Sequence, residues 1–182
     1  MWKNAWGHLC TINHHKWIVM KLCFRIGYLK QGLLHDLSKY SWIEFKSGVK
    51  YFQGNKSPNS IEKERYGYSE AWIHHAGRNK HHFNYWMDIT KGEVVSIRMP
   101  VNYVIEMFCD RISATMTYQK DAYTDNSALA YFMRYYDYIF MDQASMDLLQ
   151  IMLEYLSQHG LDETIHFIRT TVKTKGYELL EE

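Results

Sequence analysis

The chain has 182 residues and a formal net charge of +1, with 47% hydrophobic and 23% charged residues. That length and balance describe one folded domain with a true core, burying roughly 70% of the surface the unfolded chain would expose, and they exclude a disordered chain. The near-zero charge gives no overall field to attract nucleic acid or an anionic membrane. Aromatic residues are 16% of the chain, with fifteen Tyr and six Trp, which points to a Tyr- and Trp-rich core or to an aromatic-lined pocket.

The N-terminal segment "MWKNAWGHLCTINHHKW" has no apolar run of the kind a signal peptide carries. The most apolar stretch, "WIVMKLCFRIGYL", is broken by Lys21 and Arg25, too polar for a membrane span. Cys10, Cys23 and Cys109 are odd in number and widely spaced, so they form neither a disulfide framework nor a zinc signature. They read as reduced, buried thiols of a cytoplasmic protein.

With only two prolines, at 58 and 100, the sequence favours helices. From His8 to about Leu29 the apolar residues Leu9, Ile12, Val19, Leu22 and Ile26 recur at helical spacing. His15 shares their inward face, whereas His14 falls at its margin. A second helix carries "LLHDLSK". In "SWIEF", Ser41 and Glu44 have the spacing of a capping box opening a third helix that ends near "FQGN". A loop follows, from Gly54 through the charged "EKERYG". Ser69 is placed to cap a short helix, "EAWIHHAG", and "NKHHFNYW" reads as helical again. The segment "DITKGEVVSIRMP" is irregular, with an extended piece at Glu93–Ile97. Pro100 opens a long helix through "VNYVIEMFCDRISATMTYQK". Helices at about Ala128–Phe140, Gln143–His159 (with Gly160 as C-cap) and Asp162–Lys173 complete the chain. The expected fold is all-α, a single domain over residues 1–182, with helices 121–175 packing on an earlier core of about 8–120. The apolar run "ALAYFMRYYDYIFMDQASMDLLQIMLEYL" suits either core packing or a homodimer surface.

Four groups of residues carry chemistry. His15 faces inward. His35–Asp36 follows two leucines, where a buried carboxylate costs several kcal/mol unless it is paired or bound to a metal; a solvated i,i+3 pair with Lys39 is the plainer reading. His74, His75, His81 and His82 cluster within nine residues. Asp110 is the one formal charge on its helix stripe, and an ion pair with Arg78 or Lys80 is its plainer reading. Imidazoles and carboxylates are ligands for borderline divalent metals such as Fe, Mn, Co, Ni or Zn. His15, His35, Asp36 and Asp110 make an N₂O₂ set, and the intervening histidines can hold a second ion.

The order His15, His35–Asp36, the His74–His82 cluster, Asp110 resembles the HD superfamily of metal-dependent phosphohydrolases. "LLHDLSK" is close to the "LLHDIGK" usual in that family, with Ser38 in place of its Gly, and "CDRISA" is similar to its "ADRL-A". "HHAGRNKHH" is similar to the His-rich segment of two-metal members. The likeness spans about residues 8–120, and the wording is similar to a small bacterial and phage family of HD-like proteins.

The resemblance implies an HD-like helical bundle hydrolysing a small phosphate ester or nucleotide. It implies a first metal on His15, His35, Asp36 and Asp110, with Asp36 bridging to a second ion on His75 and His81, where His74 and His82 are alternatives. It places Asp36 and Lys39 in catalysis and leaves Arg78, Lys80 and His82 to bind substrate phosphate; Arg111 reads as an ion-pair partner for a neighbouring carboxylate. Tyr40, Trp42, Tyr51 and Phe52 suit base stacking or core, with core favoured for Trp42 and Phe52. A di-iron oxygenase on the same scaffold and a non-catalytic regulatory module with a structural metal are the rival readings.

Overall fold

The computed structural model describes residues 2–181. The first helix, α1 (Trp2–Ile26), buries His8, Ile12, His15, Val19, Leu22, Cys23 and Ile26. Their spacing of three, four and seven puts them on one stripe. Gly32, in α2 (Leu29–Leu34), lets this short helix fold back against α1: a Cβ on Gly32 would stand 3.0 Å from the backbone of Met20. Then come α3 (Trp42–Tyr51), α4 (Pro58–Tyr66) and α5 (Glu70–Ala76). An antiparallel hairpin, β1 (Met87–Thr90) and β2 (Glu93–Ser96), pairs Met87 with Ser96 and Thr90 with Glu93. The remaining helices are α6 (Val101–Gln119), α7 (Ser127–Arg134), α8 (Gln143–Phe167) and α9 (Lys173–Lys175).

The protein is all-α apart from that hairpin. Its core joins α1, α6 and α8: Val19, Leu22 and Ile26 meet Val104, Ile105, Phe108 and Ile112, and these meet Leu148, Leu149, Met152, Leu153 and Leu156. Each such side chain contributes about 1.5–3 kcal/mol of hydrophobic stabilisation. Ala128 and Phe132 of α7 join this core, whereas Tyr131, Met133, Tyr138 and Phe140 of the same apolar run are exposed. The tail is tied down where the Tyr177 hydroxyl donates to the Met99 carbonyl at 2.5 Å. Among the described residues, no helix is long and apolar enough to cross a membrane.

Several local expectations need correction. No helix runs through "LLHDLSK": α2 stops at Leu34, Asp36 takes a left-handed conformation (φ 55°), and a 3₁₀ turn covers Leu37–Tyr40. The Lys16 ammonium stabilises that break by donating to the carbonyls of Leu33 (2.8 Å) and His35 (2.7 Å), a cation at a helix C-terminus. Ser41 precedes α3 but makes no side-chain cap bond, and Glu44 is engaged elsewhere. "EKERYG" is helical as far as Tyr66, because Pro58 starts α4 at its first turn. Ser69 does cap α5, accepting from the Trp72 amide at 3.0 Å.

"NKHHFNYW" is a turn followed by a 3₁₀ helix at Phe83–Trp86. The extended piece expected at Glu93–Ile97 is β2, paired with β1 in a hairpin: Lys91 and Gly92 both have positive φ, as a two-residue hairpin turn demands, but a Lys–Gly pair is a weak signal for it. The helix expected over 128–140 ends at Arg134. Gly160 does interrupt the helix as expected: its backbone is non-helical (φ 77°, ψ 174°) and two helices meet there at a kink within α8, with Ile165, Ile168 and Val172 buried beyond it.

The Trp-rich core does not exist, because Trp2, Trp6, Trp17 and Trp42 are exposed. Trp42, read as core, is 75% accessible. Phe52 is half-buried, its ring against His8. Cys10 is exposed; only Cys23 and Cys109 are buried.

Candidate metal centre

The break after α2 positions the central residue. A continuous helix would throw His35 and Asp36 about 100° apart. The left-handed turn at Asp36 instead drives its carboxylate inward until it is 1% exposed. Asp tolerates that backbone region better than most residues. Its two oxygens then face two different groups.

Oδ2 lies 3.2 Å from His35 Nε2 and 3.7 Å from His15 Nε2. Asp110, at the midpoint of α6, completes this set, with Oδ1 2.9 Å from His15 Nε2 and 3.5 Å from His35 Nε2. Oδ1 of Asp36 lies 3.3 Å from His75 Nε2 and 3.4 Å from His81 Nε2. His82 joins this second set. Within each set the ligand-type atoms all lie within 4.8 Å of one another. Nitrogen and oxygen ligands about 2.1 Å from one ion stand roughly 3–3.5 Å apart, so both sets have the spacing of a coordination sphere.

Six of these atoms are buried with no aligned hydrogen bond: Nε2 of His15, His35, His81 and His82, and both Asp36 oxygens, although Lys39 Nζ lies 2.6 Å from Asp36 Oδ2 as an ion pair and Asp110 Oδ1 2.9 Å from His15 Nε2. Each orphaned polar atom costs about 1–3 kcal/mol. They converge on shared points. The clusters could hold a metal ion, and their imidazole and carboxylate donors fit a borderline divalent metal.

Two carboxylates orient the rings. Glu106, one turn before Asp110, accepts from His35 Nδ1 at 2.9 Å and faces His81 Nδ1 at 3.1 Å. Gln31 Nε2 donates to its other oxygen at 2.9 Å. Glu44 of α3 accepts from His75 Nδ1 at 2.8 Å and from His74 Nδ1 at 2.6 Å. With Nδ1 protonated, Nε2 is the lone-pair nitrogen, and it is Nε2 that faces Asp36.

The electrostatics agree with a cation-seeking site. Burial opposes the charge on Asp36, but His35, Lys39 and His75 outweigh it and hold the carboxyl well below its usual range. Asp110 is likewise depressed, through His15 and His35 against the effect of burial. Burial works against Glu106 too, yet hydrogen bonds from His35 and His81 bring it down to about 2. Burial disfavours charge on His35, but Asp36, Asp110 and Glu106 raise it well above an ordinary imidazole. His82, surrounded by His81 and His75 in a dry setting, is pushed well down.

The other expected residues fall in different places. Lys39 Nζ lies 2.6 Å from Asp36 Oδ2, so the i,i+3 pair forms, though with a buried Asp36. His14 is exposed. His74 stays outside both sets, whereas His82, expected to bind substrate, joins the second. Arg78 and Lys80 lie away from both sets. Arg78 is exposed and donates to the His74 carbonyl at 3.3 Å, while Lys80 lies beside the rings of Tyr85 and Tyr103. Neither lines the cleft that opens over the two sets, a cavity of about 870 Å³. Its basic residues include Lys39, Lys63 and Arg111, and its rings include Trp72, Tyr131 and Tyr135, in place of the expected Tyr40, Trp42, Tyr51 and Phe52.

Residues 4–155 match the family of unknown function DUF5662. The chain belongs to this family. No curated protein and no solved structure matches the sequence. The DUF5662 span contains every residue of both sets and ends within α8.

Sequence reading missed Glu44 and Glu106. Glu44 looked like a capping residue. Glu106 stands four residues before Asp110, the helical spacing that puts two side chains on one face, and that was the available signal.

Proposed function

We propose that the two sets hold divalent metal ions and that the protein is a metal-dependent phosphohydrolase of the HD type, acting on a small phosphate ester or nucleotide. One observation carries the reading: a single buried carboxylate, Asp36, aims each oxygen at the Nε2 atoms of a separate pair of histidines, His15 and His35 on one side and His75 and His81 on the other. The motif order His15, His35–Asp36, His75–His82, Asp110 supports hydrolysis of phosphates in particular. The cleft volume lies in the range of small-ligand sites.

His15, His35, Asp36 and Asp110 would hold one ion, and Asp36, His75, His81 and His82 the other. When bound, such ions supply Lewis acidity to a phosphoryl oxygen and acidify water at the site. The chain supplies the rest. Asp36 fixes the two positions relative to one another. Glu106 and Glu44 hold the imidazoles in the ligating tautomer. Lys39 carries an ammonium at the edge of the first set, where Asp36 and Asp110 keep it protonated despite burial.

The test joins elemental analysis of purified protein to a hydrolysis screen over nucleotides, phosphomonoesters and phosphodiesters. Bound transition metal and turnover are expected, with turnover abolished in Asp36→Ala. A metal-loaded wild type inert across all three classes sinks the proposal.

A further inference from the structure

We infer that the cleft contains a second anion subsite, built from Arg111 and Lys63, which takes the additional phosphoryl group of a substrate carrying two linked phosphates. This rests on the phosphohydrolase reading and narrows its substrate class.

The cleft is unevenly charged. Its lining carboxylates are Glu44, Glu64 and Asp110. Glu44 is taken by His74 and His75, Glu64 pairs with Lys56, and Asp110 belongs to the first metal set. Of the lining cations, Lys39 pairs with Asp36 and Lys56 with Glu64; Arg111 beside the first set, Lys63 beside the second and the exposed Arg134 are left over.

Arg111 follows Asp110 directly on α6. Its guanidinium lies over the Phe132 ring, 5.5 Å from the centroid. The Nε is buried with no hydrogen-bond partner, and among the described residues no carboxylate lies within ion-pair distance. The carboxylate partner expected from the sequence is therefore missing. Enclosure disfavours the charge and pulls its pKa down, yet guanidinium does not give up its proton in proteins.

Lys63 reaches in from α4 at the rim. Its ammonium lies 4.3 Å from the centroid of the Trp72 ring, and Trp72 packs on His82 and His75, with centroids 4.8 and 5.8 Å away. It too has no carboxylate partner among the described residues. Cations propped on aromatic faces are held in place while their donors stay available.

A largely buried charge without a counter-ion is costly, and an anionic ligand removes that cost. Arg offers a planar fork matched to phosphate oxygens. One phosphoryl group on the metal sets leaves Arg111 and Lys63 unmatched; a second, covalently linked group matches them. Tyr131 and Tyr135, half-exposed at the same cleft, present faces on which a nucleobase can stack.

Phosphonates resist hydrolysis and so report binding alone. Full-length metal-loaded protein is titrated with methylphosphonate, methylenediphosphonate and α,β-methylene-ADP, with metal content checked throughout. Wild type should prefer methylenediphosphonate over methylphosphonate by about tenfold or more. Arg111→Gln and Lys63→Gln should each shrink that preference, leaving metal content and methylphosphonate affinity unchanged, and Arg111→Lys should restore part of it.

Chelation by the diphosphonate is common to wild type and variants and cancels between them. Should Arg111→Gln fail to fold, Lys63→Gln at the exposed rim still reads the ratio. Tighter binding of α,β-methylene-ADP than of methylenediphosphonate identifies a nucleotide as the source; equal binding identifies a free diphosphate. Both outcomes support the subsite. Equal affinity for one and two phosphonates in wild type, or an undiminished ratio in both Gln variants, overturns it. Failure to bind metal or any phosphonate overturns the hydrolase reading itself.

Discussion

Glu106 holds one imidazole from each metal set through a single oxygen, His35 at 2.9 Å and His81 at 3.1 Å. Removing the charge with Glu106→Gln weakens its grip on both Nδ1 protons while keeping the volume. Metal affinity should fall by about 10–100-fold, read by competition against a chromophoric chelator; an unchanged affinity shows the rings are held by packing alone. His8, two turns before His15 on α1, behaves differently. Burial, helped by the charge of Lys39, lowers its pKa to about 4. The folded state therefore favours the neutral ring. Stability from this source is complete above about pH 6.5, the unfolded value, and is lost as pH falls towards 4, because the unfolded chain takes up the proton first. The loss is of order 3 kcal/mol. Carboxylates such as Glu106 add to the same acid limb in any variant, so the readout is the difference between wild type and His8→Leu in urea denaturation at pH 4 to 7. The variant should show the shallower slope; parallel curves refute it. At this scale much was legible from residue type and helical face. His15 and not His14 turned inward because it shares a stripe with Ile12, Val19 and Leu22. Glu44 and Glu106 were illegible because a carboxylate that orients a ligand looks the same in sequence as one that caps a helix or faces water.

Helices α1 and α3 approach closely at one point, where the His8 ring lies on Gly48. A Cβ added there would stand 1.9 Å from His8 Nε2, inside any tolerable contact. The ring is also hemmed by Phe45 and Phe52, at 5.5 and 5.9 Å between centroids, so it has little room to yield. Gly48→Ala should destabilise by about 2–3 kcal/mol despite the better helix propensity of Ala. Adding His8→Ala should return most of that loss in a double-mutant cycle; additive losses mean the two helices do not meet through this pair. The long helices α1, α6 and α8 were legible because each repeats its apolar stripe over several turns. The short elements were not, since one or two turns are decided by tertiary contacts. The break at Asp36 is the plainest case. Nothing in "LLHDLSK" disfavours a helix, and the turn forms because Lys16 on another helix caps the freed carbonyls. The Lys–Gly hairpin turn and the helical reading of "NKHHFNYW" failed for the same reason.

Across the whole molecule, one half is self-sufficient and the other is not. The α1–α6–α8 core is continuous and apolar. The segments that carry His35–Asp36 and His75–His82 are short turns and helices whose innermost atoms are the unpaired ones. Bound metal would cross-link these segments to α1 and α6 through His15 and Asp110, and such binding energy adds to folding stability because the unfolded chain lacks the site. At a free-metal concentration a hundred times the dissociation constant the gain is about 2.7 kcal/mol. For a chain of this size each kcal/mol shifts the midpoint by about 2–4 °C, so the cognate ion should raise Tm by roughly 5–11 °C. The rise should vanish in Asp36→Ala, which removes the ligand common to both sets. Hydrogen exchange should place the protection in residues 35–40 and 74–86, with α8 unchanged, because α8 already packs without the site. A rise in Tm that persists in Asp36→Ala, or protection spread evenly over α8, would mean that the ion binds elsewhere and that the six converging atoms are held by packing alone.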